Sequence, residues 1–152
     1  MVVSLGIMGI IITMLFNILI VGLQSTAKVT ARSLIREEVS NITSLIARDV
    51  RNAERVVNCS GTSCTIIVGS STIVWSIEPP VNGTKVVKTV NGIDYYSSPD
   101  YLEINKFAFE QPFTSTINSN ILITIVASHA NDSLGISNVL RQQSISTRNY
   151  VL

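Results

Sequence analysis

Few residues of this chain have the type and spacing for chemistry. Cys59 and Cys64 flank a short stretch that contains Gly61. That spacing suits a disulfide across a tight turn in an oxidising compartment; two free thiols in a reducing one is the alternative reading. A metal site needs more ligands, and the lone histidine, His129, is distant in sequence. A plain surface role suits a histidine placed, as this one is, beside a polar stretch. Asp94, Asp100 and Glu103 fall near one turn. Their oxygens could hold a cation, but an exposed acidic turn explains them better. Asn41, Asn58, Asn82 and Asn131 each open an Asn-X-Ser/Thr sequon, a pattern that chance often produces. The sequence holds no glycine-rich phosphate loop and no nucleophile and base at motif spacing. The expectation is a chain that is not an enzyme, with no catalytic residue, no metal ligand and no cofactor.

What these residues hang from is more informative. From Met1 to Ala27 there is no charged residue, and the first charge is Lys28. At ~1.5 Å per residue, a helix over 1–27 is about 40 Å long, enough to cross a hydrocarbon core of roughly 30 Å. A secretory h-region is shorter, about 7–15 residues. Gly6, Gly9, Thr13 and Asn17 recur at spacings of three and four, which puts small and polar groups on one side of that helix. In an apolar medium such a stripe lets helices approach closely and hydrogen-bond. A plain single-pass anchor with tolerated glycines is the alternative.

Beyond Ala27 the helical pattern continues but becomes amphipathic. Ala31, Leu34, Ile35, Val39, Ile42, Leu45, Ile46, Val50, Ala53 and Val56 recur every three or four residues. Lys28, Arg32, Arg36, Arg48, Arg51 and Arg55 mark the opposite face. Glu37, Glu38, Asp49 and Glu54 cancel most of its field, so it reads as a solvated surface or a contact with neighbouring subunits. The spacing predicts one helix over 1–56, with 1–27 apolar all round and 28–56 packed on one side.

From Val57 the pattern changes to short strands between turn signals. Strands are expected over Thr65–Val68, across Ile73, Trp75 and Ile77, over Thr84–Val90 and over Ile93–Tyr96. Further strands are expected over Tyr101–Phe109, across Ile121, Ile123, Ile125 and Ala127, and over Leu140–Tyr150. Pro79–Gly83 and His129–Ser137 read as polar loops; Thr84–Asp100 and His129–Ser137 are the expected exposed stretches. Asn91-Gly92 is a hairpin signal. Alternation slips between Ile104 and Phe107, which predicts a bulge. Connections this short make the sheet antiparallel. The fold class is therefore α+β, with a long N-terminal helix packed through its second half on one C-terminal antiparallel sheet over 57–152. Leu34, Ile35, Ile42, Leu45, Ile46 and Trp75 are the expected helix–sheet contacts. The chain has 152 residues and a net charge of +1, which suits one modest domain and does not point to nucleic acid.

Met1-Val2-Val3-Ser4-Leu5-Gly6-Ile7-Met8-Gly9-Ile10-Ile11 resembles the apolar segment of bacterial type IV pilins and type II secretion pseudopilins. Arg48-Asp49-Val50-Arg51-Asn52-Ala53 looks like the helix end of such subunits, and Ser144–Tyr150 like their last strand. The resemblance implies a pilin-like subunit that polymerises with copies of itself into an extracellular filament. It implies a filament core packed through Gly6, Gly9, Ile10, Thr13, Leu15, Asn17 and Gly22. The other partners it implies are the inner membrane before assembly, a prepilin peptidase and a pilus assembly machine. Two departures stand out. The family's basic leader and its early glutamate are missing, which implies that they precede Met1 in the native chain. The mid-helix proline often found in the family is also missing, leaving Gly22 or the Gly6/Gly9 region as the place where the helix could unwind.

Overall fold

The computed structural model describes residues 2–78, 85–114, 119–130 and 138–147. Among them, helix α1 (Val2–Asn52) is followed by β1 (Arg55–Ser60), β2 (Ser63–Val68), β3 (Ser71–Glu78) and β4 (Lys85–Val90). Then come β5 (Ile93–Tyr96), β6 (Leu102–Thr114), β7 (Ser119–His129) and β8 (Val139–Ser146). The arrangement is α+β. Every strand pair is antiparallel. Two sheets form where one was expected, in the orders β1-β2-β3-β4-β5 and β6-β7-β8. The Phe109 amide donates to the Gly61 carbonyl at 2.7 Å and bridges the two sheets. Gly61 sits at φ +62°, a conformation that glycine adopts without strain.

The helix ends at Asn52 and not at residue 56. Its last turn tightens, with the Ala53 amide donating to Val50 at 3.2 Å. The next amide, Glu54, already donates to Ile67 of β2 at 2.9 Å. Arg55 and Val56 therefore belong to β1, opposite Ile67 and Ile66. The β-branched pair Val56-Val57 favours that extended pairing over another helical turn.

Asn91 and Gly92 both have positive φ, 51° and 85°, as a type I′ hairpin requires. The Asn91 side chain also accepts from the Thr72 amide at 3.0 Å, which ties this hairpin to the β2–β3 turn. In β6 the register shifts between Ile104 and Lys106. The shift keeps Ile104, Phe107 and Phe109 all buried. The strand continues past Phe109 to Thr114. His129 closes β7, opposite Leu102, and is not in a loop. The expected loop over Pro79–Gly83, the start of a strand at Thr84, the loop over 131–137 and the tail through Tyr150 lie outside the described residues, as do Asn82 and Asn131.

Helix and sheets meet along one stripe. Ile35, Val39, Ile42, Ile46 and Val50 are fully buried, at helical spacing, against β7, β8 and β2. Burying each isoleucine contributes about 2 kcal/mol. Ile121, Ile123, Ile125 and Ala127 face them from β7. Leu34 and Leu45 are a correction: they are 46% and 38% exposed and do not belong to the core. Each precedes a buried isoleucine by one residue, a rotation of about 100° away from the seam.

Asp49 is a second correction. It is buried and not on a solvated face. Its Oδ2 accepts from the Trp75 indole at 3.2 Å and pairs with Lys88 Nζ at 2.6 Å. Trp75 and Lys88 are cross-strand partners in β3 and β4, and the ammonium lies 5.5 Å from the indole ring centre. Removing one partner of a buried pair strands the other charge. Asp49→Ala is expected to cost about 3 kcal/mol, and the double variant Asp49→Leu/Lys88→Met distinctly less. Denaturation of the detergent-solubilised chain, followed by Trp75 fluorescence, measures both. A double variant as unstable as the sum of its singles would show that the pair does not couple.

Candidate functional site

The chemistry-bearing residues stay apart. Asp94 accepts from the Thr89 hydroxyl at 2.6 Å, while Asp100 pairs with Lys85. Among the described residues no group of three or more His, Cys, Asp or Glu is placed to hold a metal ion. His129 stacks on Tyr101, ring centres 6.1 Å apart. Cys59 and Cys64 face each other across the β1–β2 hairpin and form a disulfide. Both are buried, and Cys64 stands opposite Trp75. The bond is thus part of the core beneath the Asp49 pair. Of the sequons, Asn41 and Asn58 are exposed. Thr43, the third residue of the first, is buried with its hydroxyl donating to Val39 at 2.6 Å.

The largest unexplained surface is the helix itself. α1 is long and apolar enough to cross a membrane, and none of its most apolar window is covered by the rest of the chain. Ile10 is 59% exposed, Leu15 60% and Phe16 63%. A shallow hollow lies among Ile12, Leu15, Phe16 and Leu19. A methyl group added at Gly6, Gly9 or Gly22 would touch nothing in this chain. The fold of one copy therefore does not require glycine at these positions.

The polar groups of the run divide in two. Thr13 donates to the carbonyls of Gly9 at 3.2 Å and Ile10 at 2.9 Å. Thr26 likewise donates to Gly22 at 2.9 Å. These hydroxyls are satisfied inside their own helix, as an apolar surrounding demands. Asn17 has no side-chain hydrogen bond among the described residues and is exposed in mid-run. An amide there needs a partner from outside the chain. Gly6, Gly9, Ile10, Thr13, Leu15, Asn17 and Gly22 thus share one exposed, unpacked segment, while Ile35, Ile42, Ile46 and Trp75 belong to the core.

One further feature escaped the sequence, a groove between α1 and β8 lined by Arg36, Val39, Val139, Leu140 and Arg141. It joins residues from opposite ends of the chain and has no local signal. β5 lies inside the expected exposed stretch Thr84–Asp100, and its four residues are all exposed, with Ile93 at 61%, Tyr95 at 52% and Tyr96 at 64%. Val86, Val87 and Ser98 of the same stretch are buried, because β4 is an inner strand of its sheet and not a loop.

No family model, no curated protein and no solved structure matches this chain.

Tyr101 ties β6 to the helix, its hydroxyl donating to Glu38 at 3.1 Å. Burial, then that bond to an acid, push the phenol above its ordinary value of 10.0. A raised value means that the bond's contribution is complete below pH ~10 and is lost as pH climbs through the raised value. Tyr101→Phe is expected to cost about 1 kcal/mol at neutral pH. It should also remove part of the alkaline loss of stability. Denaturation at pH 8 and pH 11 checks this, and an unchanged alkaline decline in the variant would refute it.

Proposed function

We propose that this chain is a structural subunit of a type IV pilus-like extracellular filament. The observation that carries the reading is the uncovered apolar half of α1, with glycines its own fold does not need and an amide at Asn17 without a partner among the described residues. Other copies of the same helix supply what is missing: apolar cover, close approach at Gly6, Gly9 and Gly22, and a polar partner for Asn17. Before assembly the segment sits in the inner membrane. A prepilin peptidase and an assembly machine act on it there. The helices then form the filament core, and the β-sheet bodies form its shell. The role is structural, not catalytic. A minor pilin or pseudopilin of a secretion or DNA-uptake machine would use the same core.

Two substitutions test the core. Ile11→Asp puts a charge in mid-run at a cost of about 3 kcal/mol, and surface filaments are expected to vanish. Gly9→Leu makes the segment more apolar, so it still enters the membrane, but it blocks close approach. Its filament yield is expected to fall on the order of tenfold at normal membrane content. Electron microscopy of sheared cell-surface material, with immunoblots of membranes, reads both. Wild-type yields from either variant, or a wild-type chain found only as a detergent monomer, would leave a single-pass anchored extracytoplasmic binding domain.

A further inference from the structure

The two sheets, β1 to β5 and β6 to β8, meet at the Gly61–Phe109 bridge. Away from that bridge, the edge strand of the first sheet is β5 and that of the second is β8. Edge strands in soluble domains are usually blunted by lysine, proline or a covering element. The β5 edge, Ile93-Asp94-Tyr95-Tyr96, is short and carries one charge, but it has no lysine or proline, no described residue covers it, and it is exposed throughout. It offers one carboxylate among three large side chains.

The β8 edge has the opposite chemistry. Arg36 from the helix and Arg141 from β8 flank a shallow groove floored by Val39 and Val139. Leu140 stands beside it, 65% exposed. Neither arginine has a carboxylate within ion-pair distance among the described residues. Among the described residues Asp94 has only the Thr89 hydroxyl. The β5 edge thus carries an acid with aromatic rings. The α1–β8 groove carries two guanidiniums with aliphatic side chains, and guanidinium planes both pair with carboxylates and stack on tyrosine.

We propose that the β5 edge of one copy docks in the α1–β8 groove of the next, with Asp94 between Arg36 and Arg141. The occupant is a second copy of this chain, and the proposal rests on the filament reading above. The two patches are different surfaces of one molecule, so the contact is heterologous. Such contacts do not close into two-fold dimers, and they propagate into open polymers where the rotation between copies does not close a ring.

Charge exchange in the full chain tests it. Asp94→Arg faces two arginines with a third. The pair Arg36→Asp/Arg141→Asp faces Asp94 with two acids. Like charges at a contact cost several kcal/mol, so each change is expected to lower filament yield on the order of tenfold. Combining all three substitutions restores opposite charges and is expected to recover most of the yield. Trp75 fluorescence and membrane content confirm that each variant folds and inserts. Wild-type yields from the charge-reversed variants, or a combined variant no better than its parents, would overturn the contact and leave the helix-core filament standing. A wild-type chain that makes no filaments at all would overturn both.

Discussion

The carboxylate of Asp49 is the constraint on which the architecture turns. It sits in the last turns of α1, yet its partners lie in the five-stranded sheet. The apolar stripe of the helix packs mainly on the other sheet, through β7 and β8. Apolar contact fixes distance but tolerates sliding, because it has no direction. The indole and the ammonium on Asp49 have direction. They set where the helix stops along β3 and β4, and so how the two sheets share one helix. A buried ion pair is a weak source of net stability, since desolvation offsets most of its attraction. Its value here is positional. The Cys59–Cys64 bond lies under the same tryptophan and holds the hairpin that presents Gly61 to Phe109.

A fixed helix end has a consequence at the other end. α1 runs for 51 residues without proline, about 77 Å if straight. From Gln24 to its end it has no glycine either. The body is therefore attached to the apolar half by a stiff rod. The soft place in that rod is Gly22, where Thr26 bonds back to the glycine carbonyl, an arrangement that often bends helices. A body so attached inherits the orientation of the apolar segment, and in the proposed filament contacts between bodies would be coupled to contacts between helices.

Local signals in the sequence were sufficient where one period or one turn dominated. The alternation from Ile121 to Ala127, the slip after Ile104 and the Asn91-Gly92 turn are of this kind. So is the helix–strand division itself. The end of the helix was ambiguous, because Val50, Ala53 and Val56 keep helical spacing while Val56-Val57 prefers a strand; the β2 edge decided it. Charge alone puts Asp49 on the solvated face, because its partners lie 26 and 39 positions away and leave no periodic trace. Leu34 and Leu45 fell to the same coarse wheel, one residue off a stripe that only packing defines. The apolar segment was plain from composition. That Asn17 has no side-chain hydrogen bond among the described residues, and that nothing packs on Gly6, Gly9 and Gly22, depends on where the rest of the chain lies and leaves no trace in the sequence.

The proposed filament faces a thermodynamic difficulty that these features answer. Lipid tails are as apolar as Leu and Ile, so moving the 1–27 segment from bilayer to helix bundle changes little hydrophobic free energy. Greasiness alone gives no preference for polymer over dispersed subunits. Preference in the core must come from close packing at glycines and from a hydrogen bond that lipid cannot supply, which is where Gly6, Gly9, Gly22 and Asn17 stand. The bodies are in water, and there the hydrophobic effect does operate. Ile93, Tyr95, Tyr96 and Leu140 leave apolar surface exposed on a single copy, and in the proposed filament contact between copies would cover it. On this reading the helix decides where a subunit resides, and the edges of its sheets decide that it polymerises.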